Sequence, residues 1–144
     1  MVHLQRHPEP EGLAHKKAAW TERWRTIHLK QSTKDWATAP AKKLLREALT
    51  SLAHGKCAYC EGRLGVTSYL EIEHHIAKTV NPDLVFEWTN LFPCCRLCNS
   101  KKQDINHDGA LLKPDVDDPE QYLWVENWNL IRSWIKIRHY SGAP

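Results

Sequence analysis

The 144-residue chain has no long apolar run, which excludes a membrane-spanning helix, since a bilayer takes about 20 consecutive apolar residues to cross. It has no internal repeat and no low-complexity segment, so a repeat array or a disordered tail is not its organising theme. The start, Met1-Val2-His3-Leu4-Gln5-Arg6, lacks the apolar stretch of a signal peptide. These absences predict a cytoplasmic protein with no membrane partner. In a reducing compartment its five cysteines read as metal ligands rather than disulfides.

What is present is ordinary globular composition, 42% hydrophobic and 26% charged, at a length suited to one domain with extensions. The net charge of +3 is unevenly spread. Residues 1–56 carry a balance of +6 and residues 57–144 a balance of −3. A basic front suits approach to a polyanion, although charged faces on solvated helices produce the same numbers.

Periodicity divides the chain. Residues 3–11, with Pro8 and Pro10, read as an extended arm. Leu13 to Leu29 reads as a helix with Trp20, Trp24 and Ile27 on one stripe. Residues 30–39 read as a loop. A second helix begins near Pro40, buries Leu44, Leu45, Ala48, Leu49 and Leu52, and ends at Gly55. Beyond it the pattern predicts a knuckle turn over 57–65, a strand from Ser68 to Ile76, a turn at Asn81-Pro82-Asp83 and a short strand from Leu84 to Trp88. A loop then covers residues 90–93, and a helix runs from Cys95 to about Gln103. A turn at Asp117–Glu120, a strand from Tyr122 to Val125 and an element from Leu130 to Ile137 complete the pattern. The seven tryptophans read as core for Trp20, Trp24 and Trp88; an exposed indole would offer a platform for a base.

Two CxxC pairs carry the strongest signal. Cys57 and Cys60 form one and Cys95 and Cys98 the other. Four thiolates at this spacing build a closed tetrahedral site for structural zinc. Cys94 beside Cys95 is the one left over. Between the pairs lies Tyr69-Leu70-Glu71-Ile72-Glu73-His74-His75-Ile76, which alternates apolar and polar until the histidines. A solvated strand explains the acidic alternation alone. A carboxylate followed by imidazoles also supplies a ligand for a hard cation and a general base near neutral pH.

The order Cys57-Ala58-Tyr59-Cys60, Glu73-His74, Asn90-Leu91, Cys95-Arg96-Leu97-Cys98-Asn99 and Lys102 resembles the HNH endonuclease family. The HNH subunit of the Septu anti-phage systems, PtuB-like and also found beside some retrons, is the most similar branch. Ile72, Lys78, Asn81-Pro82 and Trp88-Thr89 extend the likeness, while Ala77 and His75 depart from the branch pattern. The resemblance implies an α+β protein: a helical N-terminal part packed on a zinc-stapled ββα-metal (HNH, His-Me finger) core. It implies an N-terminal extension over 1–56 that docks a partner, a nuclease core over 57–106 and a C-terminal extension over 107–144.

By the same resemblance, Glu73 and Asn99 hold a catalytic Mg2+ or Mn2+, and His74 is the base that activates water. Asn90 braces the loop that orients it, and Lys102 sits near phosphate. With two adjacent histidines, the assignment of His74 as ligand and His75 as base stays open. The implied function is a metal-dependent hydrolase of DNA phosphodiesters, an effector of anti-phage defence working with an ATPase subunit of the ABC or SMC type (PtuA-like) in a higher-order complex. The alternatives are a zinc-knuckle binding module that does not cut, and an RNase or tRNase of the same fold. An imidazole of ordinary pKa predicts activity falling below about pH 6.

Overall fold

A computed structural model describes residues 3–28, 36–102, 111–121, 125–126 and 129–130. Helix α1 is one turn, Glu11–Ala14, and after a break at His15 and Lys16 the chain resumes as α2, Lys17–His28. The single helix predicted from Leu13 is therefore two, and Leu29 lies outside the described residues. Helix α3, Ala39–Leu52, starts with proline in its first turn, where the missing N–H costs nothing because first-turn donors have no intrahelical acceptor. Its buried stripe is Ala41, Leu45, Leu49 and Leu52, with Leu44 and Ala48 half-buried beside it. His54 and Gly55 both take positive φ, at 50° and 71°. Glycine adopts that conformation without strain, and it turns the chain out of α3 toward Cys57.

Strand β1, Leu70–His74, pairs antiparallel with β2, Leu91–Cys95, placing Glu73 opposite Phe92 and His74 opposite Leu91. Helix α4, Arg96–Lys102, follows β2 without a gap. The second strand thus falls later than periodicity predicts. The run from Leu84 to Trp88 is not a strand, and residues 91–93, predicted as loop, are strand. Pro93 misdirects the reading, because proline lacks a ladder donor and argues against strand. It is tolerated here because the described sheet has only two strands, and its carbonyl still accepts from the Ala58 amide at 2.9 Å. The apolar residues Val85, Phe86 and Trp88 come instead from two short 3-10 turns, Pro82–Leu84 and Trp88–Asn90, and their flanks. Asn81 caps the first by accepting from the Asp83 amide at 3.1 Å, which matches the predicted turn.

One hydrophobic cluster joins the helices to the hairpin: Leu13, Trp24, Leu45 and Leu49 pack with Val85, Phe86, Trp88 and Leu91. A second gathers Cys57, Ala58, Tyr59, Phe92, Cys94, Cys95 and Cys98. Arg6 ties the extended arm to both. Its Nε donates to Asp115 at 2.6 Å, its Nη1 to the carbonyls of Trp88 and Leu91 at 2.8 and 3.0 Å, and its guanidinium lies 4.4 Å over the Phe92 ring. The Asp117–Glu120 turn is realised as a 3-10 turn over Pro119–Gln121. Strands β3, Val125–Glu126, and β4, Asn129–Leu130, pair with each other. The rest of the predicted strand over 122–124, the element over 131–137, and Gln103 at the end of the predicted helix lie outside the described residues. The architecture is α+β, and among the described residues no helix is long and apolar enough to cross a membrane.

Candidate metal centre and candidate catalytic pocket

The two CxxC pairs converge. The Sγ atoms of Cys57, Cys60, Cys95 and Cys98 all lie within 4.8 Å of one another. The Cys60–Cys95 separation is 3.8 Å, matching the edge of a tetrahedron built on zinc–sulfur bonds of about 2.3 Å. Backbone amides point at the sulfurs: Cys95 N–H donates to Cys57 Sγ at 3.3 Å and Cys98 N–H to Cys95 Sγ at 3.4 Å. Such donors stabilise thiolates. Glu61, at φ 59°, makes the left-handed step that closes the first knuckle. These four cysteines can bind a metal such as zinc, and their geometry fits it.

Cys94 is also close, with Sγ 4.0 Å from Cys57 Sγ, but it is fully buried and outside the four-sulfur set. Its hydrogen bond with Cys57, and then with Cys98, pushes its thiol far above the ordinary range, while the Cys94 and Cys98 bonds hold Cys57 far below.

Elsewhere on the same hairpin and α4, Ile72, Glu73, His74, Ala77, Lys78, Asn99, Ser100 and Lys102 line a pocket of about 180 Å³. Glu73, His74 and Lys102 are each about 5% exposed or less. Lys102 Nζ lies 2.6 Å from the Glu73 carboxylate and donates to the His74 carbonyl at 2.7 Å. Asn99 donates to Glu71 at 2.6 Å. The pocket therefore brings together four residues singled out from sequence: Glu73, His74, Asn99 and Lys102.

His74 ends β1 with its ring among apolar groups. Nε2 lies 3.0 Å from the Val85 carbonyl, and the Trp36 indole meets the ring edge-on at 4.6 Å between centroids. A carbonyl only accepts, so the neutral ring carries its proton on Nε2 and leaves Nδ1 as acceptor. Burial, then the charges of Lys78 and Lys102, hold its pKa down to about 3. Asn90 does not line the pocket but braces the segment that follows β1. Its Oδ1 accepts from the Ile76 amide at 2.7 Å, and its Nδ2 donates to the carbonyls of Ile76 and Leu84 at 3.0 and 3.1 Å.

His75 takes the opposite side of the strand. Its ring meets Phe92 at 6.1 Å, burial lowers its pKa to about 4, and its Nδ1 is buried without a hydrogen-bond partner among the described residues. It is not part of the pocket lining. Three participants escaped the sequence reading. Trp36 and the Val85 carbonyl fix the His74 ring, and Glu71 holds Asn99. The alternation Glu71-x-Glu73 placed Glu71 on the Glu73 face, which was a usable signal. Nothing local marked Trp36, which lies far from His74 in sequence, or Val85, whose contact is made by a backbone carbonyl that every residue carries.

Comparison with known proteins fits this layout. The chain is similar to Septu protein PtuB. The relative from Bacillus thuringiensis is 34% identical over 134 aligned residues, which cover 90% of this chain and 48% of that protein. The PtuB protein of Bacillus mycoides (strain KBAB4) is 35% identical over 68 residues, 38% of this chain and 23% of that protein. The chain thus spans about half the length, or less, of these curated PtuB relatives. No protein-family model matches the chain, and no solved structure does.

Proposed function

We propose that this chain is a metal-dependent HNH-type endonuclease acting on DNA in anti-phage defence. The similarity to PtuB over nearly the whole chain supports the defence role. The order β1, β2, α4 with zinc ligands on both sides of the hairpin supports a ββα-metal core. The observation that carries the catalytic reading is His74: a buried, neutral imidazole with Nε2 committed to the Val85 carbonyl, in the wall of a pocket that also holds a carboxylate and a lysine.

Its chemistry follows from placement. Nδ1 of His74 accepts a proton from the attacking water, a contribution on the order of 100- to 10,000-fold in rate. Asn90 maintains the backbone after β1 and so keeps the imidazole aimed. Lys78 and Lys102 give the pocket positive potential, which draws a phosphodiester into it. Glu73 and Asn99 offer the oxygen donors a hard divalent cation prefers, and they would hold Mg2+ or Mn2+ there. Such a cation stabilises the charge developing on phosphate. For Glu73 to serve, Lys102 has to give up its ion pair and turn toward the phosphate.

The depressed pKa of His74 refines the expected pH response. In the free protein the base stays neutral well below pH 6, so loss of activity near pH 6 is not expected from this ring alone. A bound phosphate, being anionic, raises the pKa and makes the base stronger when substrate is present. Docking of an ATPase partner on the N-terminal helices completes the proposal, supported by the Septu likeness and the +6 balance of residues 1–56.

The test is cleavage of plasmid DNA with and without Mg2+ or Mn2+, by wild type and His74→Ala, with and without the partner subunit, and with a structured RNA as parallel substrate. Metal-dependent nicking lost in His74→Ala supports the reading. Cleavage of RNA alone moves it to a ribonuclease, and cleavage unaffected by His74→Ala removes it.

A further inference from the structure

An aromatic concavity in the helical region shares Trp36 with the surroundings of His74. Trp20, Trp24, Ile27, Trp36 and Phe86 line a pocket of about 360 Å³, with Arg23 and Lys42 also in its lining. Trp24 and Phe86 are fully buried, whereas Trp20 and Trp36 are half-buried and present ring surface to the space. Both of those indoles pack on Phe86 at 5.4 Å between centroids, inclined at 51° and 43°. Arg23 is exposed and Lys42 half-buried. Core packing accounts for Trp24 and Phe86. Trp20 and Trp36 pack on that same core but keep part of their surface accessible at a cavity that Arg23 and Lys42 also line.

We infer that this pocket binds one nucleotide, its base stacked against Trp20 or Trp36 and its phosphate met by Arg23 and Lys42. Three observations converge. The volume sits at the lower end of the roughly 300–1,000 Å³ range of small-molecule sites, which suits a single nucleotide and no larger stretch of polymer. Indole faces are stacking platforms that accept any base. Arg23 and Lys42 share the lining with the aromatic rings, and a phosphate accepts charge-assisted hydrogen bonds from such groups. The nucleotide is either a free mononucleotide or one unit splayed from a single strand; the recognition chemistry is the same.

Trp36 lines this pocket and also meets His74 edge-on at 4.6 Å. A base stacked on Trp36 fixes that indole and, through it, the imidazole. Occupancy is thereby coupled to the geometry of the candidate base through one shared side chain. Binding itself does not depend on the nuclease reading.

The experiment records the indole N–H resonances of the 15N-labelled full chain during titration with AMP, with CMP, with the corresponding nucleosides, and with a four-nucleotide single strand. Arg23→Glu and Trp36→Leu serve as variants. The inference expects saturable shifts of the Trp20 and Trp36 signals, weaker binding of nucleosides than of nucleotides, and about tenfold weaker nucleotide binding in Arg23→Glu, the loss of one charge-assisted contact. Arg23 is exposed, so that variant keeps the fold. Saturation by AMP assigns a free nucleotide; saturation by the tetranucleotide alone assigns the strand. Binding is read from indole shifts on the uncut chain and needs no turnover, so a failed cleavage assay leaves this result interpretable. No indole shift with any probe, or equal affinity in Arg23→Glu and wild type, overturns the inference.

Discussion

The four-cysteine cluster and the Glu73–His74 pocket share one hairpin, yet they treat charge in opposite ways. The cysteine cluster concentrates sulfurs within 4.8 Å and backs them with backbone donors. These four sulfurs could bind a metal such as zinc, whose charge would balance thiolates there. The pocket instead cancels its charge internally, Glu73 against Lys102 at 2.6 Å, and keeps His74 neutral by burial. A structural site needs to be saturated and closed. A site for turnover needs groups that can change partners. The contrast teaches that one hairpin can carry both a cluster of thiols that could hold a metal and a pocket built on an exchangeable ion pair.

The largest effect should fall on the cysteine side. Cys57→Ser or Cys95→Ser should release the metal and unfold the protein, because a structural zinc contributes roughly 10 kcal/mol or more to folding. Chelation of the wild type should do the same. Cys94→Ser should keep about one zinc per chain, the capacity of a four-ligand site, and should remain folded. Elemental analysis with far-ultraviolet circular dichroism reads both. A Cys94→Ser protein without zinc would place Cys94 in the ligand set and break the distinction.

On the pocket side, His74→Ala should reduce cleavage by at least about 100-fold, the lower end for a general base, with zinc content unchanged. His75→Ala should leave cleavage within a few-fold of wild type, since its ring meets Phe92 on the other side of the strand. The reverse pattern, a dead His75→Ala and a metal-rescued His74→Ala, exchanges their roles. Asn90→Ala removes three side-chain bonds to residues 76 and 84. It should cost about 3 kcal/mol in stability, at about 1 kcal/mol per buried bond, measured by urea unfolding. A loss of cleavage in Asn90→Ala with unchanged stability would instead put Asn90 in contact with substrate.

Much of this was legible in the residues, for identifiable reasons. The cysteine cluster was readable because CxxC spacing is a local geometric constraint. Helix α3 was readable because Leu45, Leu49 and Leu52 repeat at helical period and Gly55 stops it. The second strand was misplaced because Pro93 disguised it and Val85-Phe86 imitated a strand while plugging the core from a turn. The pocket was half legible. Glu73, His74, Asn99 and Lys102 could be named, but the Glu73–Lys102 and Glu71–Asn99 pairings depend on how α4 crosses β1, and no local pattern encodes that crossing.

The smallest effect, and the finest test of the contrast, is the response of stability to acid. A histidine has a pKa near 6.5 when unfolded, and burial holds His74 down to about 3 in the fold. Between those values the unfolded chain binds a proton that the folded chain refuses. The stabilising contribution is therefore complete above pH 6.5 and is lost progressively as pH falls toward 3. One unit below 6.5 the loss should be about 1 kcal/mol. His75 acts in the same direction, but its ring is less buried and solvent screens part of the effect. Urea unfolding of wild type and His74→Gln at pH 7.5 and 5.5 isolates the His74 share, since glutamine can still donate toward the Val85 carbonyl but cannot titrate. Wild type should lose about 1 kcal/mol more than the variant over that interval. Equal losses would show that the ring is accessible to protons in the fold, and the pocket would then be an open acidic site instead of one that holds its imidazole neutral.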